Sequence, residues 1–67
     1  MTINGEKLDI EELSSKDIAG LLLFYKLNSE RVAIEINGTV IKKDSYSHQS
    51  LDDNDEIEII HFVGGGR

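Results

Sequence analysis

The 67-residue sequence contains no cysteine and no proline. Without cysteine the chain has no disulfide framework, no thiolate metal cluster and no cysteine nucleophile, so a packed core must supply its stability. Without proline, a serine-rich stretch or a repeat, nothing marks an internal linker or a second domain. A chain this short buries only about 60% of its unfolded surface on folding, which makes a deep enzymatic cleft an unexpected feature.

Basic residues are also scarce, with seven Lys and Arg against thirteen Asp and Glu and a net charge of −6. This charge repels a phosphate backbone or an anionic membrane and favours a partner with a basic docking face, so nucleic acid and membranes are not expected partners. No apolar run approaches the roughly 20 residues of a spanning helix, and the N-terminal segment lacks the layout of a signal peptide. We therefore expect a soluble domain in the cytoplasm.

Two Asn-Gly pairs, at positions 4–5 and 37–38, each lie between alternating apolar residues. This pattern predicts two β-hairpins with two-residue turns. Counting outward from the second turn places Glu35 opposite Val40, which turns Val40 to the outer face of the sheet beside a charge.

Between the hairpins, apolar residues recur at three- and four-residue steps and predict an amphipathic helix. The stripe comprises Ile18, Leu21, Leu22 and Tyr25. Ser14 followed by Asp17 resembles a capping box, so the helix should begin near Lys16. Asn28 can adopt the left-handed conformation and predicts an end around residues 26–28. Gly20, in the middle, either allows close packing on the sheet or is a tolerated weak position.

The last strand, from Glu56 to Val63, alternates in a way that leaves apolar residues on both faces. Ile57 and Ile59 face the core, and the outer, acidic face then continues with Ile60 and Phe62. Exposed apolar residues on a small acidic domain predict a docking site, which Val40 extends if its strand lies nearby. A bulge after Ile59 would instead bury both residues, and parity alone leaves the two readings open.

The sequence after Val63 is Gly64-Gly65-Gly66-Arg67. Three glycines offer no side-chain packing and cost the most entropy to order, so we expect residues 64–67 to form a flexible tail behind a domain of residues 1–63. A phosphate-binding loop would need a helix after the glycines, and none follows. A run of glycines instead forms a narrow segment without side chains, which can enter a narrow active site of another protein.

The whole chain resembles the ubiquitin-like β-grasp sulfur carriers, most closely those of thiamine thiazole biosynthesis. The resemblance rests on Arg31 to Ile41, on Leu51 to Ile59 and above all on Ile60 to Gly66. It implies an α+β, β-grasp fold of order ββαβββ, with a mixed sheet of about five strands packed on one main helix. It also implies a protein that is a substrate of its partners rather than an enzyme, and that binds no cofactor itself.

In such carriers an E1-like adenylating enzyme uses ATP to join AMP to the C-terminal glycine carboxylate, here that of Gly66. Sulfur from a persulfide donor then displaces AMP and leaves a thiocarboxylate, and thiazole synthase accepts the sulfur. By position, Gly65 and Gly66 are the functional tail and Gly64 extends its reach. Ile60 and Phe62 fall where such carriers meet their partners. Basic rims on those partners would match the acidic surface.

Arg67 departs from this pattern, because the thiamine carriers end in glycine and Gly66 here has no free carboxylate. Either a protease removes Arg67, or the arginine was added to the natural chain, or the protein has another role. Related carriers of methionine, cysteine or siderophore biosynthesis are trimmed by a metalloprotease, which makes them the close alternative. The small subunit of molybdopterin synthase matches less well. A ubiquitin-like interaction module or modifier, which carries no sulfur, is the alternative from another class.

An autonomous enzyme lacks support, because no acidic or histidine cluster has recognisable metal-ligand spacing. His61 lies next to the tail, yet its parity places it on the core side of the sheet, where we expect a structural histidine. Lys42 and Lys43 read as an ordinary solvated pair.

Overall fold

The computed structural model describes residues 1–62. Within that range the chain forms five strands and one α-helix in the predicted order. The strands are β1 (Thr2–Ile3), β2 (Glu6–Lys7), β3 (Val32–Ile36), β4 (Thr39–Ile41) and β5 (Glu56–His61), and the helix is α1 (Ile18–Tyr25). Short 3₁₀ turns cover Ile10–Glu12, Ser29–Arg31 and Lys43–Ser45. No helix in this part of the chain is long and apolar enough to cross a membrane.

The strands form one mixed sheet in the order β2-β1-β5-β3-β4. Strand β5 pairs parallel with β1 and antiparallel with β3, and the two hairpins form the flanks. The last strand in sequence therefore lies in the middle of the sheet, where Ile57 is 1% exposed. This is the ubiquitin-like β-grasp arrangement, and the predicted α+β fold is confirmed.

Both predicted hairpin turns are present, and Asn4 and Asn37 each have φ 51°, a value that asparagine tolerates better than most residues. The glycine that follows each of them also has positive φ, as a type I′ turn requires. The predicted pairing of Glu35 with Val40 is confirmed. A turn that fixes the register also fixes which residues share a face, because side chains alternate along a strand.

Helix α1 begins two residues later than predicted, at Ile18, because Asp17 is itself the N-cap. Its Oδ1 accepts hydrogen bonds from the Gly20 N–H and from the Ser15 hydroxyl, both at 2.8 Å. Gly20 is needed for close packing, as one reading predicted, but the neighbour is not the sheet. A Cβ there would overlap the Ser15 carbonyl oxygen and lie 2.6 Å from its Oγ.

The helix also ends earlier than predicted, and the left-handed residue is Lys26 (φ 59°) rather than Asn28. The N–H of Leu27 donates to the Leu22 carbonyl at 2.9 Å and that of Lys26 to Leu23 at 3.1 Å, which are the two bonds of a Schellman motif. The early turn brings Leu27 back against the core, where it is half-buried. Burial of this leucine accounts for the position of the helix end.

The core lies between α1 and one face of the sheet, and it includes Tyr46 and Leu51 from the long connection between β4 and β5. The other buried side chains are Met1, Ile3, Ile10, Leu13, Ile18, Leu21, Leu22, Val32, Ile34, Ile36 and Ile57. Burial raises the pKa of the Tyr46 hydroxyl, although its hydrogen bond with the Ile34 backbone opposes that shift. The opposite face of the sheet has no layer of this chain over it within residues 1–62.

Candidate functional site

The outer face of β5 carries the exposed apolar residues that the sequence parity predicted. Ile60 is 48% exposed and Phe62 is 47% exposed. No bulge interrupts the pairing of β5 with β3, since the register runs without a break from Ile36–Ile57 to Val32–His61. The reading in which a bulge buries both residues is therefore wrong.

Val40 is exposed on the same face but lies one strand away from β5. It pairs with Glu35 of β3, and Glu35 in turn pairs with Glu58 of β5. Ile60 pairs with Ala33, whose side chain is too small to project far from the sheet. The Glu35 carboxylate thus lies between Val40 and β5, where it faces Glu58, while the small side chain of Ala33 leaves open space beside Ile60. We call Val40, Ile60 and Phe62 the outer apolar surface.

Two of the carboxylates on this face, those of Glu35 and Glu58, are close neighbours without an ion-pair partner in the described part of the chain. Glu35 and Glu58 stand directly opposite each other, a position in which like charges are destabilising. The ion pairs among residues 1–62 join Lys16 to Glu11 and the Met1 ammonium to Asp53, so neither involves this pair. The outer face therefore combines apolar side chains with uncompensated negative charge.

Hydrogen bonds hold the backbone of β5 up to the last residue that the structure describes. The N–H of Phe62 donates to the Arg31 carbonyl at 2.8 Å on the β3 side. On the β1 side the Asn4 side chain binds the backbone of Ile59. The outer apolar surface thus stands on a well-anchored strand. The predicted tail residues Gly64, Gly65, Gly66 and Arg67, and the domain boundary after Val63, lie outside the described residues.

His61 does not behave as the structural histidine that its parity suggested. It lies on the helix side of the sheet, but its side chain is exposed. Helix α1 ends at Tyr25, and His61 lines the open groove of about 350 Å³ that remains between this helix end and the sheet. The predicted face was right, but the His61 side chain lies beyond the end of the helix and stays exposed, because the helix is shorter than the strand it covers.

Helix α1 carries a second set of exposed apolar residues that the sequence analysis missed. Leu23 is 68% exposed and Phe24 41%, and Tyr25, assigned above to the buried stripe, is 40% exposed. The rings of Phe24 and Tyr25 meet edge to face with centroids 5.0 Å apart. The available signal was the unbroken run from Leu21 to Tyr25, since five consecutive apolar residues exceed what one face of a helix can bury.

The titratable groups near these surfaces do not form a catalytic arrangement. Partial burial, and then the charge of Glu6, raise the pKa of the Tyr25 hydroxyl above its usual 10.0, so it stays neutral near pH 7. Across residues 1–62, no three His, Asp or Glu side chains are grouped to hold a metal ion. The fold and the surface together define a ubiquitin-like β-grasp domain whose last strand leads from an exposed apolar surface into a glycine-rich segment.

Comparison with known proteins identifies the family. A family model described as the ThiS family matches residues 1–66. The sulfur carrier protein ThiS of Bacillus subtilis is 47% identical over 66 residues, which are 98% of this chain and 98% of that protein. The chain belongs to the ThiS family, and it is a small sulfur carrier of thiamine biosynthesis rather than a catalyst.

A solved structure and a larger relative extend this comparison. The crystal structure of a thiamine biosynthesis protein (ThiS) from Geobacter metallireducens superposes with a TM-score of 0.77 at 30% identity, covering 97% of this chain and 96% of that one. A thiazole synthase of Magnetococcus marinus is 35% identical over 65 residues, which are 97% of this chain but only 19% of that protein. A segment similar to this chain therefore occurs within a much longer thiazole synthase.

Proposed function

We propose that the chain carries sulfur as a thiocarboxylate on Gly66. An E1-like enzyme joins the Gly66 carboxylate to AMP and releases pyrophosphate, because a free carboxylate is a poor acyl electrophile. The terminal sulfur of a persulfide donor displaces AMP, and a thiol then cleaves the acyl disulfide and leaves the thiocarboxylate. The observation that carries this proposal is a strand anchored as far as Phe62 that leads directly into Gly64-Gly65-Gly66.

The adenylating partner docks, in this proposal, on the outer apolar surface. Ile60 and Phe62 are apolar, exposed and adjacent to the tail, so an enzyme that covers them can receive the tail in the same encounter. The carboxylates of Glu35 and Glu58 lie in the same face and favour a basic rim on that enzyme. Such complementary charge mainly speeds encounter and selects the partner.

The sulfur acceptor in this proposal is a thiazole synthase. Support comes from the Magnetococcus marinus protein of that name, which contains a segment similar to nearly all of this chain. A covalent link of this kind would keep a carrier domain and a synthase at a high effective concentration.

Arg67 indicates a processing step and supports one alternative function. Gly66 cannot be adenylated while Arg67 follows it, so a protease, such as a metalloprotease, must remove the arginine if it is native. Trimming of this kind also occurs in the related carriers named above, so a thiocarboxylate carrier for methionine, cysteine or siderophore synthesis is the second candidate.

Intact-mass measurement tests the central proposal. The chain ending at Gly66 is incubated with ATP, sulfide and the adenylating enzyme encoded with it, and the chain ending at Arg67 is the matched control. We expect the exchange of one oxygen for sulfur only in the chain ending at Gly66. Failure of that chain to gain sulfur would contradict the proposal that Gly66 carries a thiocarboxylate. Adding thiazole synthase or a sulfhydrylase then shows which acceptor removes the sulfur.

A pair of phenylalanine variants tests the docking surface. Phe62→Ala should raise the KM for the carrier in adenylation by about tenfold, because interface aromatics commonly contribute more than 1 kcal/mol to binding. Phe24→Ala removes a phenylalanine of similar exposure from the helix side and should leave this KM unchanged. Both proteins should unfold near the wild-type temperature. Equal effects of the two substitutions on KM would contradict docking on the outer apolar surface, and unfolding of Phe62→Ala would assign the residue to the core.

A further inference from the structure

Two asparagines of this domain each serve in a turn and also bind strand β5. Asn4 and Asn37 occupy equivalent positions in the two Asn-Gly turns and share φ 51°. Asn4 binds the backbone of Ile59, in the second half of β5. Asn37 accepts a hydrogen bond from the Glu56 N–H at 2.9 Å, at the start of the same strand. Asparagine side chains from the two turns thus bind β5 at its start and in its second half.

The Asn4 side chain continues a ladder that the backbone of β1 leaves incomplete. Strand β1 pairs with β5 only as far as Ile3 and Ile57, after which the Asn4 N–H donates to the Ile57 carbonyl at 2.8 Å. The chain then turns away. The Asn4 amide replaces the missing strand, since the Ile59 N–H donates to its Oδ1 at 2.7 Å and its Nδ2 donates to the Ile59 carbonyl at 3.2 Å.

This pair of bonds lies directly before the outer apolar surface. Ile59 is adjacent to Ile60, and on the β1 side of residues 1–62 the Asn4 bonds are the hydrogen bonds closest to the tail. On the other side β3 holds the strand as far as Phe62. Without the Asn4 amide, the end of β5 would be held along one edge only, and its side chains would sample more orientations.

We propose that Asn4 is a positioning residue that fixes Ile60 and Phe62 in the orientation that the adenylating partner binds. The inference rests on the proposed function, because it needs that partner. Asn4 does not reach the reacting carboxylate in this account. It acts through strand β5, because its hydrogen bonds order Ile60 and Phe62 before docking. Docking then loses less free energy to the ordering of these side chains.

The matched asparagines allow a test that separates positioning from stability. Asn4→Gly and Asn37→Gly both keep a residue that adopts positive φ. Each removes two side-chain hydrogen bonds, those of Asn4 with Ile59 and those of Asn37 with Glu56 and Asp55. We expect similar losses of stability in urea unfolding. In ATP–pyrophosphate exchange with the chain ending at Gly66, Asn4→Gly should raise the KM for the carrier by about fivefold or more, and Asn37→Gly by less than about twofold. The kcat at saturating carrier should be unchanged in both.

A second variant and a direct observation complete the test. Asn4→Asp keeps the acceptor for the Ile59 N–H but places a carboxylate oxygen against the Ile59 carbonyl, so it should raise KM even if Asn4→Gly fails to fold. Amide exchange should accelerate at Ile59 and Ile60 in the Asn4 variants and near Glu56 in Asn37→Gly. Equal KM values for the two matched variants would overturn the inference and leave the carrier function intact. Absence of exchange activity with the otherwise unchanged chain ending at Gly66 would remove the proposed function and this inference together.

Discussion

Gly20 packs against Ser15 in the segment before helix α1, so glycine is required there by space rather than by backbone conformation. A Cβ would overlap the Ser15 carbonyl and crowd its hydroxyl, which also donates to the Asp17 cap. Gly20→Ala should therefore destabilise the domain by about 2 kcal/mol, although helix propensity alone would give a gain of about 1 kcal/mol.

Urea unfolding of Gly20→Ala beside Ala19→Gly checks this prediction. Ala19 is the exposed neighbour in the same helix, and its replacement should cost only the propensity difference of about 1 kcal/mol. A Gly20→Ala protein more stable than wild type would show that Ser15 moves aside freely.

Asp53 gives the stability of the domain a defined pH dependence. Its carboxylate accepts a hydrogen bond from the Met1 ammonium at 3.2 Å, and this bond and the ammonium charge lower the pKa of Asp53 below its usual 3.8. A folded-state pKa below the unfolded value means that the contribution is complete above about pH 4 and is lost as pH falls through the folded value. Asp53→Asn should thus lower the urea midpoint at pH 7, and the two curves should converge towards pH 2.

An exposed acid elsewhere provides the control for this titration. Asp44→Asn removes one negative charge without touching the Met1 ammonium, so it reports the general effect of reduced repulsion. If Asp53→Asn and Asp44→Asn changed the midpoint equally at every pH, the Met1–Asp53 contact would contribute nothing specific.

At the scale of elements, the end of helix α1 holds a residue in an unfavourable conformation. Lys26 is the left-handed residue of the Schellman motif, a position that glycine normally fills. Lys26→Gly should therefore stabilise the domain by about 0.5–1 kcal/mol, since it relieves the steric cost of positive φ. Lys42→Gly is the control, because Lys42 has φ −73° and glycine there should destabilise by a similar amount. Loss of stability in Lys26→Gly would show that contacts of the lysine side chain outweigh its backbone strain.

The hairpins could be predicted in detail because their information is local. Each Asn-Gly turn fixes both a backbone conformation and a register, so counting from the turn correctly paired Glu35 with Val40. The same alternation correctly placed Ile60 and Phe62 on the outer face of β5.

The features that could not be predicted depend on where distant elements meet. The burial of Leu27 against the core ended the helix before Asn28. The short helix in turn left Tyr25 and His61 exposed, although their periodicity pointed inward. The partner of Gly20 was the preceding loop, which no helical or strand pattern describes. The role of the tail came from resemblance and family rather than from geometry.

At the scale of the whole molecule, the net charge of −6 is poorly compensated. The ion pairs of residues 1–62 engage two carboxylates, while Glu35 and Glu58 face each other across β3 and β5. Salt shortens the Debye length from about 30 Å at 0.01 M to about 3 Å at 1 M, and so should relieve this repulsion. Sodium chloride at pH 7 should therefore raise the urea midpoint of the free domain.

Variants that replace one glutamate by glutamine identify the source of this salt effect. Association with the partner should show the opposite dependence on salt. Glu35→Gln should raise the midpoint at low salt and reduce its salt dependence more than Glu30→Gln, which removes an exposed acid from the 3₁₀ turn before β3. Association with the proposed adenylating enzyme should respond in the opposite direction and slow as salt increases, because the same carboxylates steer a basic partner. A surface whose charges destabilise the free domain and accelerate encounter is expected of a protein that works only in complexes. If the urea midpoint fell as salt increased, attractive ion pairs would dominate, and repulsion on the acidic face would not destabilise the free domain.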